Sequence, residues 1–302
     1  MAEQPPLTPR RRRGPSREQI RRRRFVALVA IVLALVAVVG AVAVAIPHRH
    51  HAKRVTTALP PPPKPFRIVF PEGFTREQMA VRVQDVAAIA RRKSHKTVRL
   101  NRKAYLAATR HATIPCFRPR KQTKLEGFLF PATYDFLRTT TSLQLVRQQL
   151  AAFCANWKKV DLSYARSKNL TDYDVLTIAS MVERETIAPS ERPLVAAVIY
   201  NRLHNRMPLG IDATLRYGLH IPPTESIRES QLASDNPYNT RKLPGLPPTP
   251  IASPGLASIK AAAHPAKVDY LYFVRKPDKV HHFFTASDKA FAQYECAHGY
   301  GC

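Results

Sequence analysis

These 302 residues contain no H-E-x-x-H helix, no G-x-S-x-G turn, no P-loop and no dinucleotide-binding glycine fingerprint. Their absence removes the usual sequence signatures of zinc hydrolysis, serine hydrolysis and nucleotide chemistry. Cysteine is sparse: Cys116, Cys154, Cys296 and Cys302 are the whole set, and none stands in C-x-x-C spacing. Neither a zinc site nor a thioredoxin-like pair is expected from them. In an oxidising compartment they admit up to two disulfides in three complete pairings, and Cys296 and Cys302 are close enough to pin the C-terminal tail. His281 and His282 are adjacent in VHHFF. On a strand such neighbours point to opposite faces, so no metal is expected there.

Acidic residues are scarce as well, 21 against 48 Lys and Arg, for a net charge of +27. The excess runs the length of the chain. Such a body attracts polyanions, whether nucleic acid, anionic lipid or an acidic cell-wall polymer. A nucleic-acid role lacks the regular interleaving of aromatic and basic residues, and no nucleic-acid partner is expected.

What is present begins with an uncharged, proline-free run over 25–46, FVALVAIVLALVAVVGAVAVAI. As one helix it is about 33 Å long, enough for a hydrocarbon core of roughly 30 Å, and predicts a transmembrane helix. Arginines crowd the segment before it, which places a basic tail (1–24) in the cytoplasm and the remainder outside. A His/Pro-rich linker, 47–65, follows, ending in the polyproline spacer LPPPPKP.

Beyond it, Phe66–Val69 reads as a strand. Thr75 and Gln78 form a capping box for a helix with Met79, Val83, Val86 and Ile89 on one face. Helices are expected over 101–110 and 141–160, with the lone Trp157 in the core. Two more are expected over 173–185 and from a Ser190 cap to about Asn205, with Pro193 in the first turn of the latter. A short helix at 257–264 precedes the strand YLYFV at 270–274.

On the 173–185 helix, Val175, Ile178, Ala179, Val182 and Thr186 share a face. At 100° per residue, Glu185 falls 60° from Val182, and Glu183 falls 100° to the other side. Glu185 is therefore the carboxylate expected nearer the buried stripe. Partial burial raises a carboxylic pKa, the condition a general acid requires. A two-carboxylate glycosidase needs a second acid across the sugar. Asp212 in GIDATLRYG is the candidate, with capping of the turn before Ala213 as its architectural alternative. The dense GLPPTPIASPG at 245–255 either lines a sugar cleft, with Tyr238 and Asn239 beside it, or wraps the core.

The stretches EGFLFPATY (126–134), LTIASMVERET (176–186), SERPLVAAVIYNRL (190–203), MPLGIDATLRYG (207–218), YNT (238–240), GLPPTPIASPG (245–255), AAAHPAKVDYLYFV (261–274) and HFF (282–284) together resemble the YceG-like, MltG-type family of endolytic peptidoglycan transglycosylases. The resemblance implies an α+β chain. It would comprise a single N-terminal transmembrane helix, a reduced LysM-like α/β module over 66–120, and a lysozyme-like, mainly helical catalytic domain with a small strand-containing portion over 121–287. A Cys-containing tail, 288–302, completes it.

The resemblance also implies a cofactor-free lytic cleavage of the MurNAc–GlcNAc bond, leaving 1,6-anhydro-MurNAc ends, by a membrane-anchored protein acting on peptidoglycan glycan strands beside peptidoglycan synthases of the elongation and division machineries. The second Glu of the family's E-x-E pair is catalytic, which is Glu185 here. Asn201, Tyr238 and Asn239 are the implied substrate contacts; Glu126, Asp212, Thr214 and His282 are supporting positions. Arg241 stands where the family often has Tyr. A non-catalytic glycan-binding scaffold and a lysozyme-like hydrolase are the competing readings.

Overall fold

The computed structural model describes residues 17–45, 63–111, 113–117 and 124–300. The start of the basic tail, the spacer through residue 62 and Cys302 lie outside them.

Of the two units into which the chain divides, Met1–Pro61 and Pro62–Cys302, the first contributes one helix, α1 (Arg17–Ala45). The predicted transmembrane helix requires correction: among the described residues, no helix is long and apolar enough to cross a membrane. Arg21–Arg24 put four charges into the second turn of α1. The single-pass topology and the localisation built on it go with the span.

The second unit is mostly helical with two small hairpins. β1 (Phe66–Val69) leads into α2 (Arg76–Ser94) and α3 (Arg102–His111). After the segment around 124–132 come β2 (Thr133–Phe136), α4 (Ser142–Trp157) and the single turn α5 (Ser163–Ser167). Next are α6 (Asp172–Glu185), α7 (Arg192–His204), α8 (Asp212–Leu219) and the short α9 (Glu229–Leu232). α10 (Leu256–Ala263), β3 (Tyr272–Arg275), β4 (His282–Thr285) and α11 (Asp288–Ala297) finish the chain. β1 and β2 pair antiparallel, Phe66 opposite Phe136, and β3 and β4 likewise, Arg275 opposite His282. The first pairing joins residues on either side of the module boundary placed at 120, and one hydrophobic core runs through both.

Local signals explain the helix starts. Thr75, Thr141 and Thr171 each cap a helix with a reciprocal box, to Gln78, Gln144 and Asp174. Pro193 sits in the first turn of α7, where an amide hydrogen is not needed, but a 3-10 turn over Pro189–Glu191 replaces the expected Ser190 cap. α6 is the axis of the site: Val175 through Val182 are all buried, and α7 and α10 pack against it. Trp157 lies in the core against Phe117 and Phe153. Cys116 and Cys154 form a disulfide tying α4 to the chain before residue 118, and Cys296 is disulfide-bonded too.

Candidate active site

The segment 245–255 wraps α6. Ile251 N donates to Ser180 Oγ at 3.0 Å, and one turn further on Gly255 N donates to Glu183 Oε2 at 2.9 Å. Gly73 and Phe74 pin the same strap through Ser253. Gly255 has no spare volume, since a Cβ there would overlap the Glu72 carboxylate. This contact brings Glu72 and Glu183 together against Arg192, whose Nη2 is 3.7 Å from Glu183 Oε1. Glu72 is pushed above the usual carboxylate range, first by burial and then by the Glu183 charge.

Glu183 is thus a structural anchor, with a side chain only 6% exposed. The helical wheel pointed it away from the buried stripe because its cover comes from Arg192 and the strap, which no wheel of α6 contains.

Glu185 ends α6, half-buried, with Thr186 as the capping residue. Its carboxyl is pushed above the usual range, chiefly by burial. Arg275 works against that shift most strongly; the Asp212 charge adds to it; the Ala213 amide, which donates to the carboxylate, and Arg184 oppose it. The site therefore collects the C-terminus of α6, the N-terminus of α8 and the end of β3. Among the described residues no cation lies within ion-pair distance of Glu185, so the acid is influenced by arginines without being neutralised by one.

Asp212 stands beside this carboxyl, and one of its oxygens is engaged: Arg241 Nε donates to Oδ1 at 2.5 Å. It opens α8 after Ile211, the capping residue. The guanidinium holds Asp212 in place at the mouth of α8. Thr214 is buried and bonds Ile211 O at 2.7 Å and Thr240 Oγ1 at 2.9 Å. It fixes the turn that aims Ala213 at Glu185.

Glu126 lies fully inside, accepting from Arg76 N at 3.0 and 3.2 Å and from the Tyr217 hydroxyl at 3.1 Å. Burial, helped by the Glu77 charge, raises its pKa to about 8. Tyr217 belongs to α8, so Glu126 steadies from below the helix whose N-terminus meets Glu185. His282 is also buried: its Nδ1 lies 2.7 Å from Glu191 Oε2, and its backbone N donates to Glu191 Oε1 at 3.0 Å. This pair fastens β4, and with it Arg275 on the paired strand, to the start of α7. His281 instead faces Asp278 in the hairpin turn.

The three implied substrate contacts separate. Asn239 is 0% exposed, and its Nδ2 donates to Leu232 O and Ser234 O, so it shapes a loop. Tyr238 is half-buried, its hydroxyl 2.8 Å from Thr249 Oγ1 and its ring against Tyr217. Asn201 lies near the C-terminal end of α7, where its Nδ2 donates to Val268 O and Tyr270 O. Sequence reasoning missed Arg275 altogether. It is an exposed arginine at the end of a strand, and only the β3–β4 register and the Glu191–His282 anchor reveal where it sits.

A model of the YceG-like family matches residues 20–295. The chain is 33% identical over 218 residues to an endolytic murein transglycosylase of Bacillus subtilis, covering 70% of this chain and 59% of that one. It is 36% identical over 214 residues to an endolytic murein transglycosylase of Streptococcus pneumoniae, covering 68% and 36% respectively. The chain therefore spans little more than half, or about a third, of these relatives' length. A crystal structure of a YceG-like protein from Listeria monocytogenes superposes with a TM-score of 0.64 at 28% identity, covering 76% of this chain and 75% of the other.

Proposed function

This chain belongs to the YceG-like family, and from that premise we propose that it is an endolytic murein transglycosylase with Glu185 as its proton-transfer group. The observation that carries the reading is a half-buried carboxyl at the end of α6, held by one backbone amide and shifted toward its neutral form. A neutral carboxyl can protonate the oxygen of a glycosidic bond.

The substrate we propose is the MurNAc–GlcNAc bond inside nascent glycan strands of peptidoglycan. Protonated Glu185 gives its proton to the bridging oxygen as the C1–O bond breaks. The resulting carboxylate then accepts the proton of the MurNAc C6 hydroxyl as that oxygen bonds C1. Carboxyl and catalyst are regenerated, no water is consumed, and the new end is a 1,6-anhydro sugar. One carboxyl suffices because the incoming nucleophile is part of the substrate. Cutting within growing strands would limit their length, and peptidoglycan synthases are the partners such an activity serves.

The test is incubation of the full chain, and of Glu185→Gln, with peptidoglycan, followed by mass analysis of the soluble products. Anhydro-ended fragments from the first and none from the second support the reading; intact glycan from both rejects it.

A further inference from the structure

Two adjoining concavities, each about 550 Å³, open beside Tyr164 and α7, and one of them reaches Asp174 at the end of α6 opposite Glu185. They share Tyr164, Tyr200 and Asn201. One reaches Tyr270, and the other reaches Lys168 and Asp174. Neither touches Glu185, so the proton-transfer mechanism leaves them without a role.

Their chemistry is specific. Tyr164 is half-buried, its ring 6.0 Å from that of Tyr200, with the Lys168 ammonium 5.6 Å over it. The two bonds from Asn201 Nδ2, both 2.9 Å, lock the amide plane, and among the described residues none donates to its Oδ1. Aromatic walls, a fixed amide acceptor and a cationic donor suit a neutral N-acetylated sugar: ring C–H groups against the edges of Tyr164 and Tyr200, acetamide N–H to the amide oxygen, hydroxyls to the ammonium.

Two elements measure the separation from the acid. Asp174 and Glu185 lie on one helix, about 16 Å apart along its axis. Tyr270 borders the concavity and Arg275 acts on Glu185; the chain between them, at strand rise, also spans about 16 Å. A glycan strand running along β3 would enter the concavity several sugars from the bond being cut.

We infer that the Tyr164–Asn201–Lys168 concavity is a distal subsite that holds an N-acetylhexosamine of the same glycan strand whose scissile bond lies at Glu185. This rests on the glycan-cleaving reading above. The subsite adds binding energy only for strands long enough to reach it, so it selects for length.

The experiment compares the full-length wild type, Tyr164→Phe, Tyr164→Ala and Lys168→Glu on purified glycan strands sorted by length. Tyr164→Ala and Lys168→Glu should raise KM about five- to tenfold on long strands, leave kcat unchanged, and have no effect on the shortest strand that is cleaved. Tyr164→Phe, which keeps the ring, should retain wild-type KM. Lys168 is exposed, so its variant keeps the test open should Tyr164→Ala fold poorly. Equal KM on long strands for wild type and Lys168→Glu, or a loss that is independent of strand length, overturns the subsite. If the wild type cleaves no strand of any length, the parent activity falls, and the subsite falls with it.

Discussion

Arg192 Nη2 stands 3.7 Å from Glu183 Oε1, both side chains nearly covered, whereas two residues later on the same helix Glu185 has no ion-pair partner and meets the Asp212 charge, the Ala213 amide and more distant arginines. One helix end therefore presents an anchored carboxylate and a free one. Their substitutions should have opposite consequences. Glu185→Gln should lower kcat by roughly 10²- to 10⁴-fold while the melting temperature holds or rises, because a carboxyl that burial makes costly to ionise is replaced by a neutral amide. Glu183→Ala leaves Arg192 covered without its carboxylate and should cost about 3 kcal/mol in urea unfolding.

The charges around Glu185 set a pH dependence. Its folded pKa lies above the ordinary carboxylate value, so the proton donor is present below that folded pKa and is lost as pH rises through it. Arg275→Gln removes the strongest opposing charge and should move the alkaline limb of kcat/KM to higher pH. Asp212→Asn removes a supporting charge and should move it lower. Paired pH–rate profiles check both signs.

Glu126 titrates the fold. Its unfolded pKa is near that of an ordinary Glu and its folded value is about 8. Between those values the folded chain binds more protons than the unfolded one, so stability falls as pH rises across that window and levels off above it. Glu126→Gln keeps the shape without the titration and should flatten that fall, on the order of a few kcal/mol. Urea midpoints at pH 5 and pH 8 measure it.

The Cys116–Cys154 disulfide closes a loop with a sequence separation of 38. Loop-closure entropy for that length gives about 4 kcal/mol. Changing both cysteines to serine should lower stability by an amount of that order, with a clear drop in melting temperature, while kcat at 25 °C stays near wild type because none of the groups that act on Glu185 belongs to α4.

Much of this architecture is legible in periodicity and capping. The strand at Phe66–Val69, the box at Thr75, Trp157 in the core and the ends of α6 and α10 follow from local residue order within a residue or so. β3 begins two residues later than YLYFV suggested, because Asn201 and Arg202 hold the carbonyls of Tyr270 and Leu271 outside the ladder. The apolar run at 25–46 reads as a span from its length and lack of charge, whereas among the described residues no helix is long and apolar enough to cross a membrane. The site is least legible where partners are far apart in sequence. Glu126 meets Arg76 and Tyr217, Glu191 meets His282, and Arg275 reaches Glu185 only through a hairpin; none of these is a spacing.

The mass of the glycan ends released by the wild type and by Glu185→Gln bears most directly on the central claim that one carboxyl both gives and takes the proton. The account predicts fragments one water lighter than hydrolytic products, all of them abolished by the substitution. Water-added reducing ends from the wild type, or undiminished release by Glu185→Gln, would contradict it.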